Sequence, residues 1–410
     1  MKALVLAGSC PQIVLMEQLK KRGIYTILAD NNINAVARPY ADDFVKVDIL
    51  DSSAVKQVAV NHQVDFLIAV CADQVLLTVA KVSEELGLPC YLDYDTACKV
   101  SDKGYMKDIF QQNGIPTSRH AFMAELDESK IAGMQYPLVV KPVDAYSSKG
   151  VRKCCDFLEL KTFFAAAASI SRSGIVIVEE FVEGVELTVD FEVVDGRAIL
   201  LSASNTEKVN YQDRFLAFRT RFPAAVSTET INRIKIIGQK IADAFKLKNT
   251  PMLIQLLTDD KKEYVLEFSA RTGGGAKYLL LKMATGFDPI TAVIDLTLGK
   301  KPQVENIQSE SKLVTNEFIY AYPGIFHNLE GFESLKKEGI IAEFWQFKWE
   351  GAKIFDAATS SDRVVSITIK ADSYKELVLK HNEAAKRMRI INDEGKDIMR
   401  HDLLTDIKPL

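Results

Sequence analysis

Strands and helices alternate over residues 1–97, and this alternation constrains the fold more than any other feature of the chain. Apolar runs typical of buried strands occur at 3–7, 25–30 and 65–70. A helical pattern that ends at Gly23 follows the first run, and a second helical pattern at 75–86 follows the last. Alternation of this kind predicts an α/β unit with a parallel, doubly wound sheet.

Asp30 ends the second predicted strand, where an acidic residue can meet a ribose hydroxyl in dinucleotide-binding folds. The first turn, however, carries only Gly8 in place of a GxGxxG pattern. We therefore do not expect an NAD site, and we interpret residues 1–97 as a Rossmann-like scaffold whose crevice helps to hold a substrate.

Composition narrows the class of protein. The chain has 410 residues, of which 48% are hydrophobic and 26% are charged, and this balance is that of a globular protein with about two to four structural units. A formal net charge of −4 gives no general attraction to nucleic acid or to an anionic membrane. The first residues enter a strand directly, and no apolar run approaches a membrane span. Neither a nucleic acid nor a membrane is an expected partner.

The cysteines and histidines do not suggest catalysis or metal binding. The six cysteines include no CxxC pair, and the five histidines show no metal-ligand spacing. The sequence places no histidine beside a cysteine as a base. Reduced thiols and a cytoplasmic location are therefore expected.

Residues 98–182 contain charged groups at the ends of predicted elements. Lys103 begins a helix that runs to about Gln112, and Lys141 ends an apolar strand at 137–142. A loop of small residues follows, with Ser147, Ser148 and Gly150. A second apolar strand leads into the sequence Glu179, Glu180, Phe181 and Val182, and Glu186 lies beyond it.

A β-hairpin is predicted at 252–267, because apolar runs flank the turn-prone residues 259–262. It places Gln255 and Glu267 on paired strands, and Ser269 and Arg271 follow before a run of three glycines. Sites of phosphoryl transfer typically combine oxygen ligands for Mg²⁺ with an arginine that can bind phosphate or carboxylate. The alternative is an ordinary hairpin with a glycine-rich exit turn.

Taken in order, these pieces resemble the ATP-grasp superfamily, as in biotin carboxylase, carbamoyl phosphate synthetase and D-alanine–D-alanine ligase. The resemblance covers nearly the whole chain. It implies a Rossmann-like domain at 1–97 followed by a two-part ATP-grasp α+β domain. The first part is a lid-bearing subdomain at 98–182, and the second is a metal-site subdomain with a C-terminal α/β region at 183–410.

The resemblance also implies a role for each residue of the set. Lys141 would neutralise phosphate oxygens, with Lys103 assisting, and the loop at 143–151 would close over the phosphates. Arg271 would bind the substrate carboxylate and, with Lys141, act in catalysis. The remaining roles are adenine binding by Glu179, Glu180, Phe181 and Val182, ribose binding by Glu186, phosphate binding by Ser147, Ser148 and Gly150, and metal binding by Gln255, Glu267 and Ser269.

The metal site departs from the family pattern, which has carboxylates at both hairpin positions and an asparagine two residues after the second. This chain has Gln255 and Ser269 at the altered positions. One carboxylate together with the phosphate oxygens of ATP can still hold Mg²⁺. The number of metal ions therefore stays open, and weak catalysis is an alternative.

The activity implied is ATP-dependent ligation, in which a carboxylate becomes an acyl-phosphate and an amine then displaces the phosphate. ATP and Mg²⁺, or Mn²⁺ in its place, are the expected cofactors. A small-molecule carboxylate and an amine are the expected partners, and a homodimer is compatible with the family. The alternatives are a carboxylating or carbamoyl-phosphate-type enzyme that uses bicarbonate, and an ATP-binding protein with little turnover. A biotin carboxylase role is less favoured, because it would need a carrier partner.

Several of these residues also have structural interpretations. The alternative for Lys103 is a solvated lysine in a first helical turn. For residues 179–182 it is an exposed acidic turn, and for Arg271 it is a structural ion pair. Arg214, Arg219 and Arg221 suggest either an anionic substrate or an exposed basic strand.

Overall fold

A parallel sheet opens the chain, as the alternation predicts. The computed structural model describes residues 1–145, 149–211, 214–304, 312–357 and 359–407. The first sheet has the strand order β3-β2-β1-β4, and all of its strands are parallel. Its elements are β1 (Lys2–Leu6), α1 (Cys10–Lys21), β2 (Tyr25–Asp30), β3 (Asp43–Lys46), α2 (Ser52–His62), β4 (Phe66–Ile68) and α3 (Leu76–Leu86).

Both faces of this sheet are buried, which makes it doubly wound. Along β1, Ala3 and Val5 pack with α1, whereas Leu4 and Leu6 pack with α2 and α3. Such burial follows from the alternation of side chains along a strand. The expectation of a Rossmann-like α/β scaffold is confirmed.

A four-stranded antiparallel sheet forms next, with the order β5-β8-β6-β7. Helix α6 covers it with Leu160, Phe164 and Ala167. The elements of this part are α4 (Tyr94–Ser101), α5 (Lys103–Gln112), β5 (His120–Met123), β6 (Leu138–Pro142), β7 (Arg152–Cys154), α6 (Phe157–Ile170) and β8 (Val176–Glu180).

The largest sheet has eight strands in the order β13-β12-β9-β10-β11-β14-β18-β16, and its pairs are antiparallel. Its first elements are β9 (Val185–Val194), β10 (Arg197–Tyr211), β11 (Arg214–Phe222), α7 (Thr228–Ala244), β12 (Thr250–Thr258), β13 (Glu263–Ser269), α8 (Lys277–Thr285) and α9 (Pro289–Thr297). The two-part arrangement expected after residue 97 is therefore present.

The last hundred residues extend the large sheet and add a small one. Three of their strands join the large sheet, while β15, β17 and β19 form a sheet of their own in the order β17-β15-β19. The elements are β14 (Leu313–Ile319), β15 (Gly324–Glu330), α10 (Phe332–Lys337), β16 (Glu343–Gln346), β17 (Lys353–Ile354), β18 (Val365–Ala371), α11 (Tyr374–Arg387) and β19 (Arg389–Asn392). The exact domain boundaries at 97 and 182 remain predictions.

Strand β9 separates the core of the large sheet from a polar face. Leu187, Val189, Phe191 and Val193 point into the main hydrophobic core, which α7 covers. The alternate residues Glu186, Thr188, Asp190 and Glu192 therefore lie on the opposite face. This polar face is where the candidate site forms.

Of the two alternatives for the arginines of β11, the exposed basic strand is wrong for Arg219 and Arg221. Arg219 is fully buried and pairs with Glu207 (3.0 Å) and Glu317 (3.2 Å), and it also donates to the Thr405 carbonyl (2.6 Å). Arg221 is buried as well and pairs with Glu207 (3.0 Å). Buried charges of this kind are matched by partners, so these arginines tie strands and the C-terminal tail together. The Arg214 side chain lies outside what the structure describes.

None of the helices in the described part of the chain combines the length and the apolar character that crossing a membrane requires.

Candidate active site

The hairpin of β12 and β13 forms as predicted and brings its two polar residues opposite each other. Gln255 pairs in register with Glu267, and Leu253 pairs with Ser269. On its other side Gln255 pairs with Thr188 of the polar face of β9. Both side chains are partly exposed, so the hairpin presents an amide and a carboxylate side by side.

Lys103 reaches this hairpin from the first turn of α5. Asp102 caps the helix by accepting from the backbone N–H groups of Gly104 and Tyr105. The Lys103 Nζ lies 3.3 Å from the Glu267 carboxylate and donates to the Ala145 carbonyl at 3.0 Å. The charge of Lys103 lowers the pKa of Glu267, so this carboxylate is ionised at neutral pH. Lys103 is therefore more than a solvated helix residue.

Glu179 is buried between two lysines. Its carboxylate lies 2.6 Å from the Lys141 Nζ and 2.8 Å from the Lys107 Nζ. Burial alone would raise the pKa of Glu179, but the two ammonium groups hold it well below its usual range. Lys107 also donates to Thr117 (2.5 Å), which in turn donates to the Val265 carbonyl of β13. The Glu179 side chain therefore orients Lys141.

The segment after Glu179 is held by backbone hydrogen bonds. The Glu180 N–H donates to the Arg119 carbonyl (2.9 Å), and the Phe181 N–H donates to the Pro137 carbonyl (3.0 Å). Val182 follows and is partly exposed. The hinge expected to contact adenine is thus an ordered crossover from the four-stranded sheet to the large sheet, and its adenine contacts remain a prediction.

Glu186 stands near the start of β9 and contacts Lys208 at 2.5 Å. The turn before it requires Gly184, because a Cβ there would lie 2.6 Å from the Thr258 carbonyl oxygen. This close approach brings Glu186 beside the end of β12, where it pairs in register with Leu257. Its ribose-binding role stays a prediction.

The predicted phosphate loop is described only at its ends. Ser147 and Ser148 lie outside the described residues. Gly150 has φ of +77°, and a Cβ at this position would lie 2.8 Å from the Pro142 ring. Glycine is therefore required where the loop rejoins the sheet.

Arg271 is engaged by an acidic residue from the N-terminal unit. Its Nε donates to one oxygen of Asp73 at 2.5 Å, its Nη2 bonds the other oxygen, and its Nη1 donates to the Thr272 carbonyl. Burial disfavours the charge of Asp73, but the guanidinium lowers the pKa of this carboxyl below its usual value. Ser269 also donates to Asp73 (2.8 Å). The structural ion pair considered for Arg271 is present, and its substrate-binding role stays a prediction.

Sequence reasoning missed Asp73 and Lys107, although both carry a local signal. Asp73 follows β4 at the carboxyl end of a parallel sheet, which is the edge where ligands bind in such sheets. Lys107 lies one helical turn after Lys103, so the two lysines share a face of α5.

Asp190 and Glu192 are two acidic residues farther along the polar face of β9. Asp190 contacts the Lys277 Nζ at 3.3 Å and accepts from Ser202 at 2.6 Å. Glu192, the next residue on this face, is 1% exposed. Neither of its oxygens has a hydrogen-bond partner within the described residues, and burial raises the pKa of Glu192 to about 8.

The raised pKa of Glu192 predicts a pH-dependent stability. Between about pH 4.5 and about pH 8 the folded chain holds a proton that the unfolded chain releases. The resulting stabilisation is full below about 4.5 and is lost as the pH rises through about 8. Because Glu192→Gln cannot ionise, its melting temperature should rise relative to wild type as the pH increases from about 5 to about 9. A constant difference over this range would contradict the raised pKa.

Cys10 and Cys71 are unsuited to nucleophilic catalysis. Burial raises the pKa of Cys10 to about 12 and that of Cys71 to about 11. Both therefore stay protonated at neutral pH, and a protonated thiol is a poor nucleophile.

The side chains at the hairpin and at the two lysines have the chemistry to bind one Mg²⁺ ion and a nucleoside triphosphate. Glu267 is ionised and lies opposite the Gln255 amide oxygen, and Lys103 and Lys141 supply positive charge nearby. Among the described residues, no group of three or more His, Cys, Asp and Glu side chains converges as a metal cage would. Mg²⁺ commonly takes one or two carboxylates and completes its shell with phosphate oxygens and water.

Comparisons with known proteins agree with this geometry. Residues 134–278 match the family model described as ATP-grasp domain. A D-alanine–D-alanine ligase from Aromatoleum aromaticum is 29% identical over 193 residues, which are 46% of this chain and 62% of the ligase. A carbamoyl-phosphate synthase from Methanobrevibacter smithii is 23% identical over 313 residues, which are 74% of this chain and 81% of the synthase. The chain thus spans less than two thirds of the length of the first of these relatives.

Solved structures share the whole fold at low sequence identity. An L-amino acid ligase from Bacillus licheniformis superimposes with a TM-score of 0.79 at 23% identity, covering 96% of this chain and 99% of the ligase. The biotin carboxylase domain of the Hydrogenobacter thermophilus 2-oxoglutarate carboxylase has a TM-score of 0.80 at 16% identity, covering 98% and 92%. Residues 134–278 thus match the ATP-grasp domain family in sequence, and nearly the whole chain shares the fold of these solved structures.

Proposed function

We propose that this protein is an ADP-forming carboxylate–amine ligase. The observation that carries the proposal is the contact of the Lys103 Nζ with the Glu267 carboxylate (3.3 Å), across from Gln255. This contact brings the positive charge at the start of α5 to the oxygen donors Gln255 and Glu267. Arg271 follows shortly after the end of β13. Phosphoryl transfer to a carboxylate needs positive charge that neutralises the phosphate oxygens. It also needs oxygen ligands that hold a divalent metal ion close to them.

The proposed reaction has two steps. A substrate carboxylate oxygen bonds the γ-phosphorus of ATP while the bond from that phosphorus to the bridging oxygen of ADP breaks. The neutral amine nitrogen then bonds the acyl carbon, the carbon–oxygen bond to phosphate breaks, and one N–H proton of the attacking nitrogen is released. No covalent bond to the protein forms, so catalysis rests on positioning and on charge neutralisation.

The chain's own residues would share these tasks. Lys141, oriented by Glu179, and Lys103 would bind phosphate oxygens and offset their charge. Gln255 and Glu267 would hold Mg²⁺, which supplies Lewis-acid polarisation of a phosphoryl oxygen when it is bound. Arg271 would position the substrate carboxylate. Sequence similarity to a protein named D-alanine–D-alanine ligase supports ligation as the proposed reaction.

A second candidate is a protein that binds ATP with little turnover. The observation that favours it is at Ser269, whose hydroxyl is engaged with Asp73. Of the three hairpin candidates for the metal, Glu267 is the one carboxylate, because the other two are Gln255 and Ser269. Phosphate release from ATP, measured with a panel of carboxylic acids and amines, separates the two. Release that depends on an acid, with a product of the summed mass minus water, supports the ligase. ATP binding without acid-dependent release favours the second candidate.

Replacing Lys141 with alanine should weaken ATP binding by about 10- to 100-fold. The reason is the loss of one charge-assisted phosphate contact, worth about 1.5–3 kcal/mol. Calorimetric titration with a non-hydrolysable ATP analogue measures the change. Lys261→Ala, at an exposed position in the turn between β12 and β13, serves as the matched control. Equal affinities for both variants would remove Lys141 from the nucleotide site.

A further inference from the structure

Asp73 binds the short segment of chain that carries Arg271. It follows β4 in the N-terminal unit, whereas Arg271 follows β13 of the large sheet. The Arg271 Nε donates to one Asp73 oxygen at 2.5 Å, and the Nη2 bonds the other oxygen. The Ser269 hydroxyl donates to the first of these oxygens at 2.8 Å. Two parallel bonds to one carboxylate fix the plane of a guanidinium as well as its position.

The backbone on either side of Arg271 is held by the same N-terminal unit. The Ala270 carbonyl accepts from the Tyr91 hydroxyl at 3.3 Å, and the Thr272 hydroxyl accepts from the Cys71 N–H at 3.1 Å. Ala270 and Thr272 are both buried. The N-terminal unit therefore fixes the backbone around Arg271 together with its side chain, so the guanidinium has little freedom to turn.

These contacts leave one edge of the Arg271 guanidinium available. A guanidinium has five N–H donors. Asp73 takes the donor on Nε and one on Nη2, and the Thr272 carbonyl takes one on Nη1. Within the described residues, Nη1 and Nη2 each keep one N–H without a partner. Two donors on neighbouring nitrogens are what a second carboxylate needs for a bidentate contact.

We propose that Asp73 is a positioning residue, which turns the Arg271 guanidinium so that its two remaining N–H groups meet the substrate carboxylate. The inference rests on the proposed ligase function, because it takes Arg271 as the residue that holds this carboxylate. Asp73 acts through Arg271 and does not touch the substrate. The alternative is that Asp73 competes with the substrate for Arg271. The donor count favours positioning, since the guanidinium can bind both carboxylates at once.

The KM for the acid distinguishes positioning from a purely structural role. Asp73→Asn should raise this KM about tenfold, because the amide NH₂ cannot accept from the guanidinium and Arg271 is then free to turn away from the substrate. The KM for ATP should not change. A purely structural role would instead reduce the amount of active protein, which lowers kcat and leaves both KM values as in wild type. Phosphate release is measured with the acid that gives the fastest release in the panel of carboxylic acids.

A double-mutant cycle tests whether Asp73 acts through Arg271. In an Arg271→Ala background there is no guanidinium to position, so adding Asp73→Asn should leave the acid KM unchanged. A tenfold rise in both backgrounds would overturn the positioning role. A fall of the acid KM in the single Asp73→Asn variant would also overturn it, because that result is expected if Asp73 competes with the substrate.

Asp295→Asn is the matched control. Asp295 of α9 pairs with Arg22 at 2.7 Å, so this ion pair also joins the N-terminal unit to the rest of the chain, and Asp295 is 27% exposed where Asp73 is 29% exposed. This variant should lower the melting temperature without changing the acid KM. If Asp73→Asn does not fold, Asp73→Glu replaces it. Glutamate keeps the charge but moves the oxygens by one carbon, so the acid KM should still rise.

The remaining outcomes separate the positioning role from the ligase proposal. Acid-dependent release in wild type, with an unchanged acid KM in Asp73→Asn or in Asp73→Glu, would overturn the positioning role and leave the ligase in place. No acid-dependent release in wild type would overturn the ligase proposal, and the positioning role with it.

Discussion

Replacing Glu267 with glutamine should lower Mg²⁺-dependent turnover by at least about a hundredfold. Glu267 is the carboxylate of the hairpin pair, and an amide brings no negative charge to a divalent ion whose charge stabilisation is worth several kcal/mol. The variant should stay folded, because the Glu267 side chain is 38% exposed and its ion pair with Lys103 is partly solvated. Acid-dependent phosphate release at varied Mg²⁺ concentration measures the effect.

The opposite change on the facing strand is the matched control. Gln255→Glu adds a carboxylate across from Glu267, so it should preserve or raise turnover and lower the Mg²⁺ concentration required. Full activity in Glu267→Gln would show that the hairpin is not the metal site. A similar loss in both variants would indicate that the hairpin matters for packing alone.

Replacing Arg271 with alanine should reduce acid-dependent phosphate release by about 2–4 kcal/mol of transition-state stabilisation, the range for one preorganised oxyanion donor. ATP affinity should change little, because the candidate nucleotide contacts lie at Lys103, Lys141 and the segment after Glu179. Arg271→Lys should recover little, since an ammonium group cannot reproduce a bidentate fork. Kinetics with varied acid, together with ATP titrations, measure both effects.

Asp73→Asn is the control for loss of the ion pair between Asp73 and Arg271. Both variants break the ion pair between Asp73 and Arg271, so both should lose melting temperature by similar amounts. If Arg271 binds the substrate, Arg271→Ala should lose far more acid-dependent release than Asp73→Asn at equal folded fraction. Equal losses of acid-dependent release in the two variants would mean that Arg271 acts only through its ion pair with Asp73.

Patterns within short stretches of the chain could be interpreted from the sequence. The alternation over 1–97 predicted the parallel sheet, because the period of apolar residues differs between strands and helices. The turn at 259–262 and its flanking runs predicted that Gln255 and Glu267 would lie on paired strands, and the structure pairs them in register. Asp102 and Lys103 marked the start of α5 through ordinary capping chemistry. The strict alternation of Glu186, Thr188, Asp190 and Glu192 with apolar residues was equally readable as a polar strand face, and it was missed.

Contacts between distant parts of the chain were decided only by the tertiary structure. Asp73 and Arg271 follow strands of different sheets, and no local pattern indicates that the arginine already has a partner. Lys107 meets Glu179 only because α5 packs beside the four-stranded sheet. Arg219 looked like part of a basic strand, yet it is buried against Glu207 and Glu317. The physical reason is common to all three. Secondary structure follows from backbone geometry and side-chain period over a few residues, whereas the partner of a buried charge depends on which elements pack together.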